Sequence, residues 1–459
     1  MSDFPQYLPL AGVASYEEAA QLGYTVQEDV DRFVRYAWLE KATMEMGMAW
    51  INPTPDWEVK EALSLHLYLD AEHVAQFRER VSEMRNPPPR MDVSPDPALQ
   101  AFIDEVMTAQ DTLERVVGLY GVLKPALIAA YREHLSKAHP LVDYPTRRML
   151  KHILLDEEEI MHWGESAVRA VSLGNEERAA AWANHLQAYL AATGGVMGTA
   201  ERTTELPASR VQGTFVPDFT PKRDARFTKQ WNFVFPPHEV ARTEGVPNDE
   251  KTLALMCKRA LEMDVPEAMV RMMWEAQGHP WEYYTGMGRQ VWDEARHAMM
   301  GTVYLQNRGI QWKELPLHPG FSLRLNKHMT ASEAHAVLYT IEQSLMPATT
   351  GKAYEWATAG ASQDELAQLF QDFDWADEVL HVYIGREWLL STLNMSRNDA
   401  VTLGQQRATE TESVLELYAA NGEQVNWWSD FVQQVLGRPS AMQSYSMGTA
   451  DPVYRKKTA

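Results

Sequence analysis

Apolar residues recur every three to four positions along most of this chain, and the two-residue alternation of a half-buried strand is nearly absent. The period predicts helices over about 27–51, 57–87, 97–137, 146–172 and 176–193. After an irregular stretch it predicts more over about 250–277, 281–308, 331–360, 363–394 and 405–436. Prolines and glycines punctuate the gaps, in INPTPDW, RNPPPRMDVSPDP, AHPLVDYP, GHPW and TAGAS. Connections this short imply antiparallel neighbours, so the expected fold is all-α, two tandem up-and-down helical bundles. The plan is a first bundle in 1–195, an irregular segment 196–249 and a second bundle in 250–459. The middle segment is rich in aromatics and prolines and is expected to pack on the bundles, whereas SMGTADPVYRKKTA reads as a loose tail.

Charge and cysteine content narrow the chemistry. The 459 residues carry a formal charge of −21, which opposes nucleic acid and anionic membrane surfaces as partners. A single cysteine, Cys257, excludes disulfides, zinc ribbons and protein-bound iron–sulfur clusters within one chain. No apolar run approaches the roughly 18 residues of a membrane span, and the N-terminus lacks a signal peptide's basic start. A cytoplasmic protein is expected, with a homodimer as its assembly.

The two halves repeat. Shifting by 224 residues lays Met48–Trp50 on Met272–Trp274, and Asp70-x-x-His73 on Glu294-x-x-His297. A shift of 219 lays Leu119–Val122 on Leu338–Ile341, and Glu159-x-x-His162 on Glu378-x-x-His381. Two registers that each recover an acid-x-x-His pair point to an internal duplication.

Residues three apart share one helix face, so such a carboxylate and imidazole can address one ion. A solvated helix face has the same spacing, but Glu294 and His297 stand among Trp292, Met299, Val303 and Tyr304 with few flanking charges. Charged groups on an apolar face need partners or a metal. In the second half both pairs fall on the second helix of an expected hairpin. The first helices then offer Glu267 and Glu342 at matching heights from the turns. The expected ligand set is Glu267, Glu294, His297, Glu342, Glu378 and His381. Four carboxylates and two imidazoles suit two ions of iron, of manganese or one of each, because anionic oxygens bridge and neutralise paired cations.

This alternation of Glu and Glu-x-x-His resembles the ferritin-like di-iron carboxylate superfamily. DEARH at 293–297 looks like the Asp-Glu-x-Arg-His motif of bacterial multicomponent monooxygenase hydroxylases, and DEVLH at 377–381 repeats its start. The resemblance covers roughly residues 250–395. It implies that Asp293 and Asp377 orient His381 and His297. It also implies oxygen-dependent oxidation or monooxygenation of a small or carrier-linked organic substrate, since paired ferrous ions can deliver two electrons to dioxygen together. With one cysteine the electrons must come from a separate ferredoxin or flavin reductase. Tyr339, Trp292, Tyr283 and Met346 are candidate pocket residues. Pro347 is expected to distort the helix beside Glu342. Two other readings are iron or peroxide handling, as in ferritins and rubrerythrins, and a non-enzymatic bundle with vestigial ligands.

The first half is poorer. The same shifts set Thr43 opposite Glu267 and Leu123 opposite Glu342, leaving Glu40, Asp70, His73, Glu159 and His162. The expectation is a degenerate copy, metal-free or holding one ion weakly.

Overall fold

The helical period is realised throughout the computed structural model, which describes residues 7–442. Among the described residues there is no strand beyond an isolated bridge between Asn232 and Glu423, and no helix is long and apolar enough to cross a membrane. The expected tail, 446–459, lies outside the described residues. The chain divides into two units: Met1–Met46 with Leu69–Pro217, and Gly47–Tyr68 with Asp218–Ala459. The irregular segment expected over 196–249 is thus shared between them.

The first unit draws on α1 (Val26–Trp50), α2 (Trp57–Met84), α3 (Pro97–Met107), α4 (Thr112–Val116), a π-helical stretch (Val117–Leu123), α5 (Lys124–Lys137), α6 (Tyr144–Ser172) and α7 (Glu176–Ala192). The single helix expected over 97–137 starts where Asp96 caps it and is divided where Asp111 starts a new one. Asp96 accepts from Ala98 N ahead of Pro97, and Asp111 accepts from Glu114 N. Phe33 stacks on Phe77 and His134, and Tyr36 meets Tyr131 edge-on at 4.9 Å. Within this unit the 196–217 stretch is tied down: Arg35 Nε donates to Val196 O at 2.7 Å, and Ser209 Oγ to Glu105 at 2.7 Å.

The second unit contains α8 (Pro237–Val240), α9 (Asn248–Leu261), α10 (Asp264–Glu275), α11 (Trp281–Asn307), α12 (Gly320–His328), α13 (Ala331–Ser344), α14 (Lys352–Ala361), α15 (Glu365–Leu393), α16 (Arg397–Glu410), α17 (Glu412–Asn421) and α18 (Trp428–Leu436). Proline divides two of the expected helices. The Pro266 ring opposes a helical carbonyl at Glu262, so α9 stops at Leu261 and α10 restarts at Asp264. Pro347 ends α13 at Ser344, and the chain turns back through Gly351 before α14. Only glycine fits there, since a Cβ at 351 would collide with the Leu345 carbonyl. Gly301 does the same for α11, letting it approach the Ala260 backbone of α9 closely. Phe227, from the irregular segment, stacks on Trp57 at 5.1 Å.

Candidate metal centre

Helices α11 and α15 bury stripes of the right period and the wrong polarity. On α15 the inward positions are Gln371, Asp374, Asp377, Glu378, His381 and Ile384, while Leu369, Phe373, Val379 and Tyr383 face outward. On α11, Asp293, Glu294 and His297 lie in the buried stripe between Val291 and Gly301. A helix that hides its acids and exposes its leucine has a polar interior to satisfy.

These side chains converge. Donor atoms of Glu294, Glu342, Glu378 and His381 lie within 4.8 Å of one another, and so do those of Glu262, Glu294 and His297, and of His297, Asp374 and Glu378. Glu294 and Glu378 therefore each belong to two groups, the position of bridging carboxylates. His297 Nδ1 is 3.5 Å from Glu294 and 3.8 Å from Glu262, and His381 Nδ1 is 3.3 Å from both Glu294 and Glu378. Two donors bound at about 2.1 Å to one ion lie about 3.0–3.4 Å apart, so the spacing is near that of ligands. Among the described residues no hydrogen bond reaches either Nδ1, or one oxygen each of Glu262, Glu342 and Glu378, all buried. Orphaned polar atoms this numerous, aimed at a common space, fit a pair of hard cations.

On the opposite ring edges His297 Nε2 lies 3.2 Å from Asp377, whereas His381 Nε2 lies 3.5 Å from Asp293 and among the described residues no hydrogen bond reaches it. Arg296 bridges the two aspartates, and Arg289 reaches Asp293 at 2.8 Å.

Charge is in excess. Five inner carboxylates (Glu262, Glu294, Glu342, Asp374, Glu378) face two inner cations. Lys352 lies 2.8 Å from Asp374 and 2.9 Å from Glu378, and Arg259 lies 2.5 Å from Asp374 and 2.8 Å from Glu262. Burial opposes the charged form of His297, yet Asp374, Asp377 and Glu294 outweigh it and raise the imidazole to about 10. Burial pushes Glu262 up to about 7 against Arg259 and Lys352. Burial and Glu378 together push Glu342 well above the carboxylate range. Protons here occupy a field that metal ions would otherwise neutralise.

Glu267 does not join this cluster. It is buried between Lys60 at 2.5 Å and Arg223, which grips both oxygens at 2.5 and 2.9 Å. The break before Pro266 puts Glu262 in the place expected for it. Of the expected pocket residues, Tyr339 packs on Gly385, Tyr283 stacks on His279 at 4.5 Å, and Trp292 packs against the main apolar core. Met346 is half-buried in the turn after α13. A cavity of about 160 Å³ adjoins the centre, but its lining holds Glu262, Ile341 and Leu345 and none of these four.

The first unit contains a smaller cluster. Glu40, Asp70, His73 and Glu157 come within 4.8 Å of one another, all buried. His73 Nδ1 is 3.6 Å from Glu40 and from Glu157, and His73 Nε2 is 3.2 Å from Asp156. The ammonium of Lys124 sits inside, 2.6 Å from Asp70, 3.1 Å from Glu40 and bonded to Glu157. Glu159 and His162 are exposed instead, because α6 turns Ile153, Glu157, Ile160 and Gly164 to the core. Glu157, two residues earlier, takes the inner position.

Sequence reasoning also missed Asp374, Lys352 and Arg259. Asp374 was legible, one turn before Asp377-Glu378 on the same stripe. Lys352 reaches the centre only through the turn after Pro347, which no spacing reveals.

No family model matches this chain, and no curated protein or solved structure is significantly similar to it.

Proposed function

We propose that the second unit is a ferritin-like bundle carrying a two-metal carboxylate centre, and that the protein uses it for oxygen-dependent oxidation of a small organic substrate. The observation that carries this reading is the convergence of Glu262, Glu294, His297, Glu342, Glu378 and His381 with both Nδ1 atoms unmet. Iron pairs held this way supply electrons to dioxygen two at a time. The chain's own residues do the rest. Asp377 holds the His297 tautomer, Asp293 stands 3.5 Å from His381 Nε2, Arg289 and Arg296 hold the aspartates, and Gln290 Nε2 donates to Glu342 at 3.2 Å. Electrons for repeated turnover come from a separate donor protein, since the only cysteine, Cys257, is buried.

An internal duplication accounts for the first unit. Glu40, Asp70, His73, Asp156 and Glu157 precede Glu262, Glu294, His297, Asp377 and Glu378 by 221–224 residues. The histidine–aspartate distance is 3.2 Å in each set, and the histidine–glutamate distances are 3.6 and 3.8 Å. Positions 160 and 123, where a second histidine and a fourth acid belong, hold Ile160 and Leu123, and Lys124 supplies the missing positive charge.

A second reading keeps Lys352 and Arg259 as permanent partners of the acids, giving a metal-free ion-pair core. Anaerobic reconstitution with ferrous iron, followed by metal analysis and oxygen uptake, separates the two. The oxidase reading expects about two irons per chain and about one dioxygen per pair, without mineral growth. Iron content near zero would leave the ion-pair core.

A further inference from the structure

The two halves of the centre differ in what already touches their donors. In one half Glu294 Oε1 and Glu378 Oε2 each lie 3.3 Å from His381 Nδ1, and Glu342 completes the group. Among the described residues one cation reaches these acids. Lys352 Nζ lies 2.9 Å from Glu378 Oε1, and no hydrogen bond reaches Glu378 Oε2. Glu342 accepts only from the neutral amide of Gln290, at 3.2 Å on Oε1. In the other half His297 Nδ1 faces Asp374 Oδ1 at 3.3 Å, Glu294 Oε2 at 3.5 Å and Glu262 Oε2 at 3.8 Å. That Asp374 oxygen is already taken. Arg259 Nη1 lies 2.5 Å and Lys352 Nζ 2.8 Å from the same Oδ1, and Arg259 also holds Glu262 at 2.8 Å.

An ion shared with His297 therefore competes with two cations for one oxygen and stands beside both of them. Like charges this close repel strongly where water is excluded. Arg259 has a further acid within reach, Glu355 at 3.6 Å. Lys352 does not: its ammonium is buried, and among the described residues it pairs with Asp374 and Glu378 alone. Lys352 is thus the group that an ion at His297 leaves least compensated. The first unit shows a lysine in a comparable place. Lys124 Nζ lies 2.6 Å from Asp70 and 3.1 Å from Glu40, two acids whose donor atoms gather with that of His73.

We propose that the two halves load unequally: the His381 half takes its ion first and tightly, and Lys352 keeps the His297 half a weak site that fills second. The proposal rests on the two-metal reading and adds a regulation to it, since chemistry that needs both ions then depends on metal supply. The test titrates manganous ion into the metal-free full-length protein, with free manganese followed by electron paramagnetic resonance. Two ions per chain are expected, the second bound about ten-fold or more weakly than the first. His381→Ala is expected to lose the tight step, and His297→Ala the weak one. Lys352→Met keeps the apolar stem and removes the ammonium. It is expected to tighten the second step about ten-fold, and by more than it changes the first. Should that variant not fold, the two histidine variants decide. Two steps of equal affinity, a tight step lost in His297→Ala, or an unchanged gap in folded Lys352→Met would overturn the proposal. The two readings fail separately. A parent chain that binds no manganese removes the two-metal centre itself; two ions bound equally remove the inequality alone.

Discussion

Asp377 Oδ2 lies 3.2 Å from His297 Nε2, on the ring edge opposite the nitrogen that faces the glutamates. That hydrogen bond fixes the tautomer in which Nδ1 is free to bind a metal, and it raises the basicity of the ring. Asp377→Asn keeps the shape and removes the charge. Ferrous or manganous affinity, measured by chelator competition, is expected to fall about 10- to 100-fold. An unchanged affinity would mean that His297 is a structural residue.

Two glutamates five residues apart have opposite fates. Glu267→Gln strips the charge from between Lys60 and Arg223, both buried, so unfolding free energy is expected to drop by about 3–5 kcal/mol with metal content unchanged. Glu262→Gln removes one ligand and is expected to lower the metal content by about one ion per chain. Denaturant titration and metal analysis on the same two preparations decide this, and the reverse pattern would restore Glu267 to the centre.

The ammonium of Lys124 compensates Glu40, Asp70 and Glu157 in the first unit. Lys124→Met leaves three buried acids without it, and a loss of about 3–5 kcal/mol is expected in metal-free buffer. The same variant vacates a space lined by Glu40, Asp70, His73 and Glu157. Added manganous ion is therefore expected to raise the melting temperature of the variant more than that of the parent, and to raise its metal content by about one. A variant indifferent to the ion would show that the first cluster does not present a ligand geometry.

The second-half pairs were legible because a carboxylate and a histidine three apart share a face whatever the tertiary fold. The partner on the preceding helix was not, because its identity depends on where that helix ends. Reading 250–277 as one helix favours Glu267; the Pro266 ring ends α9 at Leu261 and delivers Glu262. In the first unit α1 runs unbroken from Val26 to Trp50, and on the proposed duplication Glu40 takes the corresponding place, two residues out of the gapless register. Glu159 and Glu157 differ in the same way: two residues along a helix is more than half a turn, enough to carry a side chain from core to solvent. Lys124 and Lys352 were illegible for another reason. A buried lysine carries no sequence signature, and its place is set by acids on other helices.

Outside the centre, Glu61 gives a pH dependence of known sign. Its carboxylate is partly buried, and Trp57 Nε1 donates to it at 2.8 Å. Burial raises it from an ordinary 4.5 to about 7, with Glu58 adding to the rise while the Trp57 bond opposes it. Between those two values the folded chain holds a proton that the unfolded chain has lost, so stability falls as pH rises from about 4.5 to 7 and the penalty is complete above 7. Glu61→Gln is neutral at every pH. Its stability is therefore expected to exceed that of the parent above pH 7 by an amount that shrinks as pH falls toward 4.5. Urea titrations of both chains across that range measure the gap, and a gap that widens toward acid would assign Glu61 a favourable charge interaction in place of a desolvation penalty.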